Sequence, residues 1–312
     1  MSGFELTFNW FYADSKHIAM YSSGRLPMRN PNVNPGLPTN GNGSYEWHGW
    51  LAPNSHVHVV DPPSGQIVNW NNKPGAAFAA ADDNWSYGSV HRVELLNSSL
   101  PKGKTTPAGV VSAMNAAATT DLRQRLPAVL EVMSRTAAPS SRDYAMLGVL
   151  GKWDGSRLDA NLDGKIDQPG AAIMDAWWPR LAVAVLQPVL GPLTDQLRTL
   201  APISDDANPG GSSYDAGWYG YVEQDLQGLL GGKSSFSTKY CGNGDLNACS
   251  ASLWQSLDAA GNELAATQGS DPSGWRADAT TERIHFSGFI PDTMRWTNRP
   301  TFQQVMVFRS HR

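Results

Sequence analysis

Four stretches of the chain hold residue types at spacings that support chemistry. In Gly65-Gln66-Ile67-Val68-Asn69-Trp70-Asn71-Asn72-Lys73-Pro74, three asparagines fall within four positions at the end of a strand expected over residues 66–70. Strand alternation puts Asn69 and Asn71 on one face and Val68 and Trp70 on the other. Asparagine is a poor strand residue, so two readings stand: the amides satisfy backbone groups in the turn, or one amide N–H is a fixed donor for a developing oxyanion. A second stretch, Asp159-Ala160-Asn161-Leu162-Asp163-Gly164-Lys165-Ile166-Asp167, reproduces the first nine positions of a calcium loop. Asp159, Asn161, Asp163 and Asp167 supply oxygens, Lys165 takes the main-chain carbonyl position, and Gly164 takes the sharp turn. Position twelve is Gly170 instead of a bidentate Glu, so the shell needs another carboxylate such as Asp175; the alternative is an Asx-rich turn. His56 and His58 share a strand face and read either as a metal pair or as ordinary strand residues, with no third ligand in sight. Cys241 and Cys249, the only two cysteines, enclose a Gly/Asn-rich loop and read as a local disulfide. Zinc is disfavoured there, since no histidine or second pair lies nearby.

Other signatures fail on spacing. Residues 228–234 imitate a phosphate loop, but Gln227 stands where the first glycine belongs and the stretch follows an expected helix. Neither a Gly-x-Ser-x-Gly elbow nor a His-Glu-x-x-His helix occurs.

Composition narrows the classes further. The 312 residues are 17% charged with a formal net charge of -4, and the most basic stretch is the short tail Arg309-Ser310-His311-Arg312. That excludes a nucleic-acid-binding surface of the usual basic kind. The longest apolar run, residues 181–193, is broken by Pro188 and is too short to span a bilayer. A disulfide implies an oxidising, secreted or periplasmic setting. Met1-Ser2-Gly3-Phe4-Glu5-Leu6 has neither the basic nor the apolar region of a signal peptide, so the full-length protein is expected to begin further upstream.

The elements that must position these residues fall into three blocks. Residues 4–95 read as mostly strand, with a hairpin turning at Ala13-Asp14-Ser15-Lys16-His17, short strands over 47–51 and 57–60, and a long Pro/Asn/Gly loop over 24–45. From residue 107 the period becomes helical. Helices are expected over 110–118, 121–135 with a kink at Pro127, 141–153, 171–186, 213–230 and 250–268. Strands return over 281–286 and 302–308. The fold class is therefore α+β: a β-rich part over 1–95, a mainly helical insertion over 96–275, and C-terminal strands over 276–312 returning to the same sheet.

Several motifs occur in a fixed order along nearly the whole chain. They are Leu6-Thr7-Phe8-Asn9-Trp10-Phe11-Tyr12-Ala13-Asp14, Asn34-Pro35-Gly36-Leu37-Pro38, Trp47-His48-Gly49, the stretch from Pro63 to Pro74, Trp153-Asp154-Gly155, Gln168-Pro169-Gly170 and Trp296-Thr297-Asn298-Arg299-Pro300-Thr301-Phe302-Gln303-Gln304-Val305. Together they resemble the C-terminal portion of the β-chain of the penicillin acylase (penicillin amidase) family of N-terminal-nucleophile hydrolases. The resemblance implies part of an αββα sandwich with a large helical insertion. It also implies hydrolysis of a small-molecule acyl amide, such as the side chain of a β-lactam or an acyl-homoserine lactone. The nucleophile would be a serine at a new N-terminus, with its own α-amine as base. By resemblance Asn71 is the oxyanion-hole amide and Arg92 the active-site arginine, while Pro35 and Asp82 correspond to ligands of a structural Ca2+. No organic cofactor is implied.

The family's serine lies far upstream of the Leu6-Thr7-Phe8-Asn9-Trp10 motif, and Ser2, before Gly3-Phe4-Glu5, does not match it. The chain is thus expected to be a fragment that needs upstream acylase chains as partners and is inactive alone. The alternative is a non-catalytic acyl-ligand-binding or scaffold protein that keeps part of the fold.

Overall fold

Two β-rich segments flank Asp14, and the turn between them explains their pairing. Strands β1 (Asn9–Ala13) and β2 (Ile18–Ser22) run antiparallel, with Trp10 opposite Tyr21 and Phe11 opposite Met20. The Asp14 carboxylate accepts the main-chain N–H groups of Lys16 and His17, both at 2.7 Å, and so satisfies donors that the reversal leaves over. Strand β3 (His58–Val60) adds to β2, giving the order β1-β2-β3. His17 Nδ1 lies 2.6 Å from Asp61 Oδ2, and Asp61 Oδ1 accepts the Ile18 N–H at 3.0 Å. This exposed pair ties the hairpin turn to the end of β3.

The computed structural model describes residues 3–33, 38–70, 72, 74–75, 90–125, 127–200, 219–234, 236–280, 282–285, 293–295 and 304–309. The chain divides into two units, one of Met1–Met114 with Gln304–Arg312 and one of Asn115–Gln303.

The first unit has a small core and open surfaces. Leu26 is buried against Leu51 and Val57. Consecutive strand residues point to opposite faces, yet Phe11 and Tyr12 are 49% and 54% exposed. Both faces of β1 are therefore open, and among the described residues β1 is also an edge of its sheet.

Four expectations for this unit differ from the structure. Residues 47–51 make one bridge, Pro27 to Trp50, instead of a strand; Met28 N–H bonds to Gly49 O and Leu51 N–H to Leu26 O, but Met28 O takes the His48 N–H instead of that of Gly49, which breaks the ladder register. Residues 66–70 follow the turn at Gly65 (φ +67°) but join no ladder, because the Trp70 N–H is taken at 2.9 Å by the Asn72 side chain. The β-rich block also ends earlier than expected, at helix α1 (Val90–Ser99), where Leu95 is buried. At the other end of the chain, residues 304–309 carry no strand, against the expected strand over 302–308.

The division between units falls within helix α2 (Pro107–Thr119). The second unit continues with α3 (Pro127–Met133), α4 (Ser141–Lys152), α5 (Pro169–Leu190), α6 (Leu193–Leu200), α7 (Tyr219–Leu229) and α8 (Leu246–Gln268). A two-stranded sheet of β4 (Arg283–His285) and β5 (Thr293–Arg295) follows. Pro127 opens α3 where a kinked longer helix was expected; at the first helical position its missing N–H would have had no partner anyway, and a 3-10 turn over Leu122–Arg125 precedes it.

Helix α5 is the centre of this unit. It is buried nearly all round, through Ile173, Met174, Trp177, Trp178, Leu181, Val185 and six smaller or similar residues, and packs most extensively on α8. Its two internal prolines, Pro179 and Pro188, each remove one ladder bond. Ends are capped by side chains: Ser140 accepts the Asp143 N–H at 3.1 Å and Asp245 accepts the Ala248 N–H at 2.7 Å. Four indole N–H groups find oxygens: Trp153 on Ser156 O, Trp177 on Ser256 Oγ, Trp254 on Met133 O and Trp275 on Gly269 O. Among the described residues no helix is long and apolar enough to cross a membrane.

Two tests follow from this packing. A Cβ on Gly170, at the start of α5, would stand 2.4 Å from Cγ of the buried Trp153. Gly170→Ala should therefore destabilise the protein by about 1–3 kcal/mol, read as a lower denaturant midpoint with an unchanged slope. For the hairpin, the hydrogen bond to Asp61 raises the pKa of His17 and lowers that of Asp61. The His17 contribution is full below its unfolded value of about 6.5 and fades as pH rises through the raised one; the Asp61 contribution is full above about 3.9 and fades as pH falls through the lowered one. Amide exchange at Ile18, corrected for intrinsic chemistry, should be slowest between these limits, and His17→Ala should remove the alkaline limb.

Candidate active site

The asparagine turn is built from side-chain bonds. Asn72 Oδ1 accepts both the Trp70 N–H at 2.9 Å and the Asn69 Nδ2 group at 3.1 Å, and Asn69 Nδ2 also lies 3.4 Å from the Asn72 main-chain oxygen. Asn69 and Asn72 are therefore tied to each other by side-chain bonds. Asn71 itself lies outside the described residues, as do Ser2, Pro35 and Asp82. Arg92 belongs to the first turn of α1, with its side chain outside the description. His58 opens β3, while His56 lies before that strand, in the bend after a 3-10 turn: Nδ1 of the buried His56 sits 2.8 Å from Ser22 O with its ring stacked on Tyr21, and His58 Nδ1 sits 2.8 Å from His56 O.

The 159–167 loop spends much of its oxygen on itself. Asp159 accepts the N–H groups of Asp163 and Gly164 at 3.1 and 3.0 Å, Asp163 accepts Lys165 N–H at 2.8 Å, and Asp167 accepts Ala160 N–H at 3.0 Å. Asn161 receives the Asp163 N–H on Oδ1 and donates from Nδ2 to Asp163 Oδ2. Gly164 takes φ +86° at the turn, and Ile166 N–H bonds to Ala277 O at 2.9 Å. Among the described residues no group of three or more His, Cys, Asp or Glu side chains is arranged to hold a metal ion. Asp175 does not complete the loop's shell. Both of its oxygens belong to arginines instead.

Those arginines form a buried charge cluster in the second unit. Arg157 Nη1 and Nη2 bond Asp175 Oδ1 and Oδ2 at 2.9 and 3.0 Å, and Arg123 Nη2 also reaches Asp175 Oδ1. Arg123 grips Asp121 through Nε at 2.9 Å and Nη2 at 2.7 Å, while Arg157 reaches Asp121 at 3.1 Å and Glu282 through Nε and Nη2. Asp175 keeps 8% of its side chain exposed; both arginines keep none. Burial alone would push the Asp175 carboxyl up, but the Arg157 and Arg123 guanidinium groups outweigh it and hold it below its ordinary value. The same carboxylates overcome burial at both arginines and raise their pKa values. The sequence reading missed this cluster as a unit. Its signal was a charged residue, Asp175, inside the apolar run that became α5, where a charge requires a partner.

Cys241 and Cys249 are joined, with 5.0 Å between their Cα atoms. The buried Asp225 of α7 supports this ring by accepting the Tyr240 and Cys241 N–H groups at 2.7 and 2.9 Å. Burial pushes the Asp225 carboxyl up, against those two bonds.

The α+β architecture and the ordered motifs define a class. The profile of the penicillin amidase family matches residues 2–303, and the chain belongs to that family. It is 33% identical over 178 residues to a penicillin G acylase of Escherichia coli, covering 55% of this chain and 21% of that protein. It is 36% identical over 66 residues to the acyl-homoserine lactone acylase QuiP of Pseudomonas putida, covering 21% and 8%, respectively. Over 64 residues it is 41% identical to a penicillin acylase 2 proenzyme of a Pseudomonas species, covering 20% and 8%. The fold matches a thermostable penicillin G acylase of Alcaligenes faecalis with a TM-score of 0.68 at 23% identity, over 94% of this chain and 53% of that one. The chain thus spans about half the length of that solved relative and matches about a fifth or less of the curated ones.

The charge cluster yields a test with a defined pH sign. Arg157→Met removes a buried partner from each of Asp121, Asp175 and Glu282, and should cost about 3–5 kcal/mol. Because Asp175 is held below its unfolded value of about 3.9, its contribution is complete above that pH and is lost as pH falls through the lower folded value. The variant should accordingly unfold at higher pH in an acid titration followed by circular dichroism.

Proposed function

We propose that this chain is the part of a penicillin acylase-type amide hydrolase that carries one side of the oxyanion hole. Asn71 donates its side-chain N–H to the oxyanion and Arg92 lies beside the reacting groups. The serine nucleophile comes from an upstream acylase chain. Its α-amine takes the proton as the hydroxyl oxygen attacks the acyl carbonyl; the tetrahedral oxyanion collapses, the amine leaves with that proton, and water then cleaves the acyl ester. The oxyanion gathers more charge than the ground-state carbonyl, so a fixed amide donor lowers the barrier more than it tightens substrate binding.

The observation that carries this reading is the family match over residues 2–303, which contains Asn69-Trp70-Asn71-Asn72 and Arg92. The bonds that tie Asn69 and Trp70 to Asn72 support it, since a donor must have fixed neighbours before charge develops. The substrate class is a small-molecule acyl amide, the β-lactam side chain or acyl-homoserine lactone kind named for the relatives. The open faces of β1 suit strands supplied by the upstream chain, in a secreted or periplasmic protein with its disulfide formed. Calcium, at Pro35 and Asp82 or in the 159–167 loop, enters no step of this mechanism.

Co-expression with the upstream acylase chain provides the test. The complex should hydrolyse phenylacetyl or fatty-acyl amides while this chain alone does not. Asn71→Ala in the complex should lower kcat by about 10²–10³ with little change in KM. Unaltered turnover in that variant would sink the assignment.

A further inference from the structure

A different chemistry is written into an exposed loop of the first unit. The chain there runs Thr39-Asn40-Gly41-Asn42-Gly43-Ser44, two Asn-Gly steps in succession, and every one of these residues is exposed. An asparagine before glycine can react with its own backbone. The glycine nitrogen attacks the asparagine Cγ, a C–N bond forms, and the side-chain nitrogen leaves as ammonia with the proton the glycine gave up. Water then opens the five-membered succinimide at either carbonyl, giving aspartate or isoaspartate.

The local structure favours this closure. Glycine puts no Cβ in the way of the attack, and a Cβ added at Gly41 or Gly43 would meet no heavy atom within 4 Å, so no packing resists the rotation. Gly43 stands at φ +89°. Asn42 Oδ1 accepts the Ser44 N–H at 3.1 Å, which draws electron density from Cγ and makes it a better electrophile. Among the described residues the loop is tethered beyond the reacting atoms, where Asn30 Nδ2 donates to Ser44 O at 3.2 Å.

A third Asn-Gly step supplies an internal contrast. Asn243 and Gly244 are also exposed, but they lie inside the ring closed by Cys241 and Cys249. Asn243 is held at φ 54°, ψ 37°, and its N–H bonds to Tyr240 O at 3.1 Å while the Asp245 N–H bonds to Gly242 O at 3.0 Å. Bringing the Gly244 nitrogen onto the Asn243 Cγ requires a large turn about ψ, which the disulfide and both bonds oppose.

We propose that Asn40 and Asn42 form a spontaneous self-modification site, passing through succinimide to aspartate and isoaspartate, and that the disulfide ring shields Asn243 from the same reaction. Each event replaces a neutral amide by a carboxylate and lowers the formal net charge, -4 before any event, by one unit. An isoaspartate also lengthens the main chain of the loop by one methylene.

The test is an incubation of the oxidised full chain at mildly alkaline pH, followed by peptide mapping with mass spectrometry and labelling by an isoaspartate-specific methyltransferase. The peptide holding residues 40–44 should gain one mass unit per event and take the methyl label, while the peptide holding Asn243 keeps its amide. In the reduced, denatured chain the Asn243 peptide should react as well, and in the double variant Asn40→Gln, Asn42→Gln the native loop signal should disappear. Two results would overturn the proposal: a native chain in which Asn243 reacts as fast as the loop, or a loop that keeps both amides while the denatured chain loses them.

Discussion

Arg157 is the residue on which the helical unit most depends. One guanidinium bridges Asp121, which follows α2, Asp175 in the middle of α5, and Glu282, just before β4. These partners stand 36, 18 and 125 residues away, so a single buried cation holds the beginning, centre and end of the unit at once. Buried ion pairs add little net stability over an apolar filling, but a member without its partner is strongly unfavourable. The cluster therefore acts less as glue than as a filter on arrangements: an alternative packing that separates any of these carboxylates from Arg157 strands a buried charge. With Arg123 the described members of the set are two positive and three negative groups, which leaves little room for substitution at any one of them.

The remaining order of that unit is carried by packing with its polar groups accounted for. α5 is apolar nearly all round and lies against α8, and Trp177, Trp254 and Trp275 each place an N–H on an oxygen. A buried indole without such a partner would lose much of what its area gains. The first unit is built on opposite lines. Its strands are short, its buried cluster centres on Leu26, and side chains such as Asp14, Asp61 and Asn72 use their oxygens to close turns.

Much of this was legible from the residues. The hairpin around Asp14, the helices expected over 141–153 and 250–268, the disulfide and the family were all readable, because each depends on neighbours in sequence or on an ordered set of motifs. What escaped reading depends on distant partners. The amphipathic look of residues 66–70 suggested a strand, but strand formation needs a ladder partner, and the Asn72 side chain had already taken the Trp70 donor. Pro127 reads as a kink in isolation and as a helix start once the 3-10 turn before it is seen. Asp175 looked like a spare calcium ligand because the arginines that claim it lie 18 and 52 positions away. At the candidate site, sequence supplied the motif around Asn71, and the structure adds how its flanking amides close on each other.

The distribution of tryptophan has a spectroscopic consequence. In the helical unit Trp177, Trp178 and Trp275 are fully enclosed, and the indole N–H groups of Trp177 and Trp275 are fixed on protein oxygens; in the first unit Trp47 and Trp50 stand 58% and 44% exposed, edge to face 5.5 Å apart. Enclosed indoles emit at shorter wavelength than hydrated ones, and soluble quenchers reach only the latter. Among these described tryptophans the enclosed ones belong to one unit and the exposed ones to the other, so quenching separates the two groups and the loosening around either can be watched without attaching a dye.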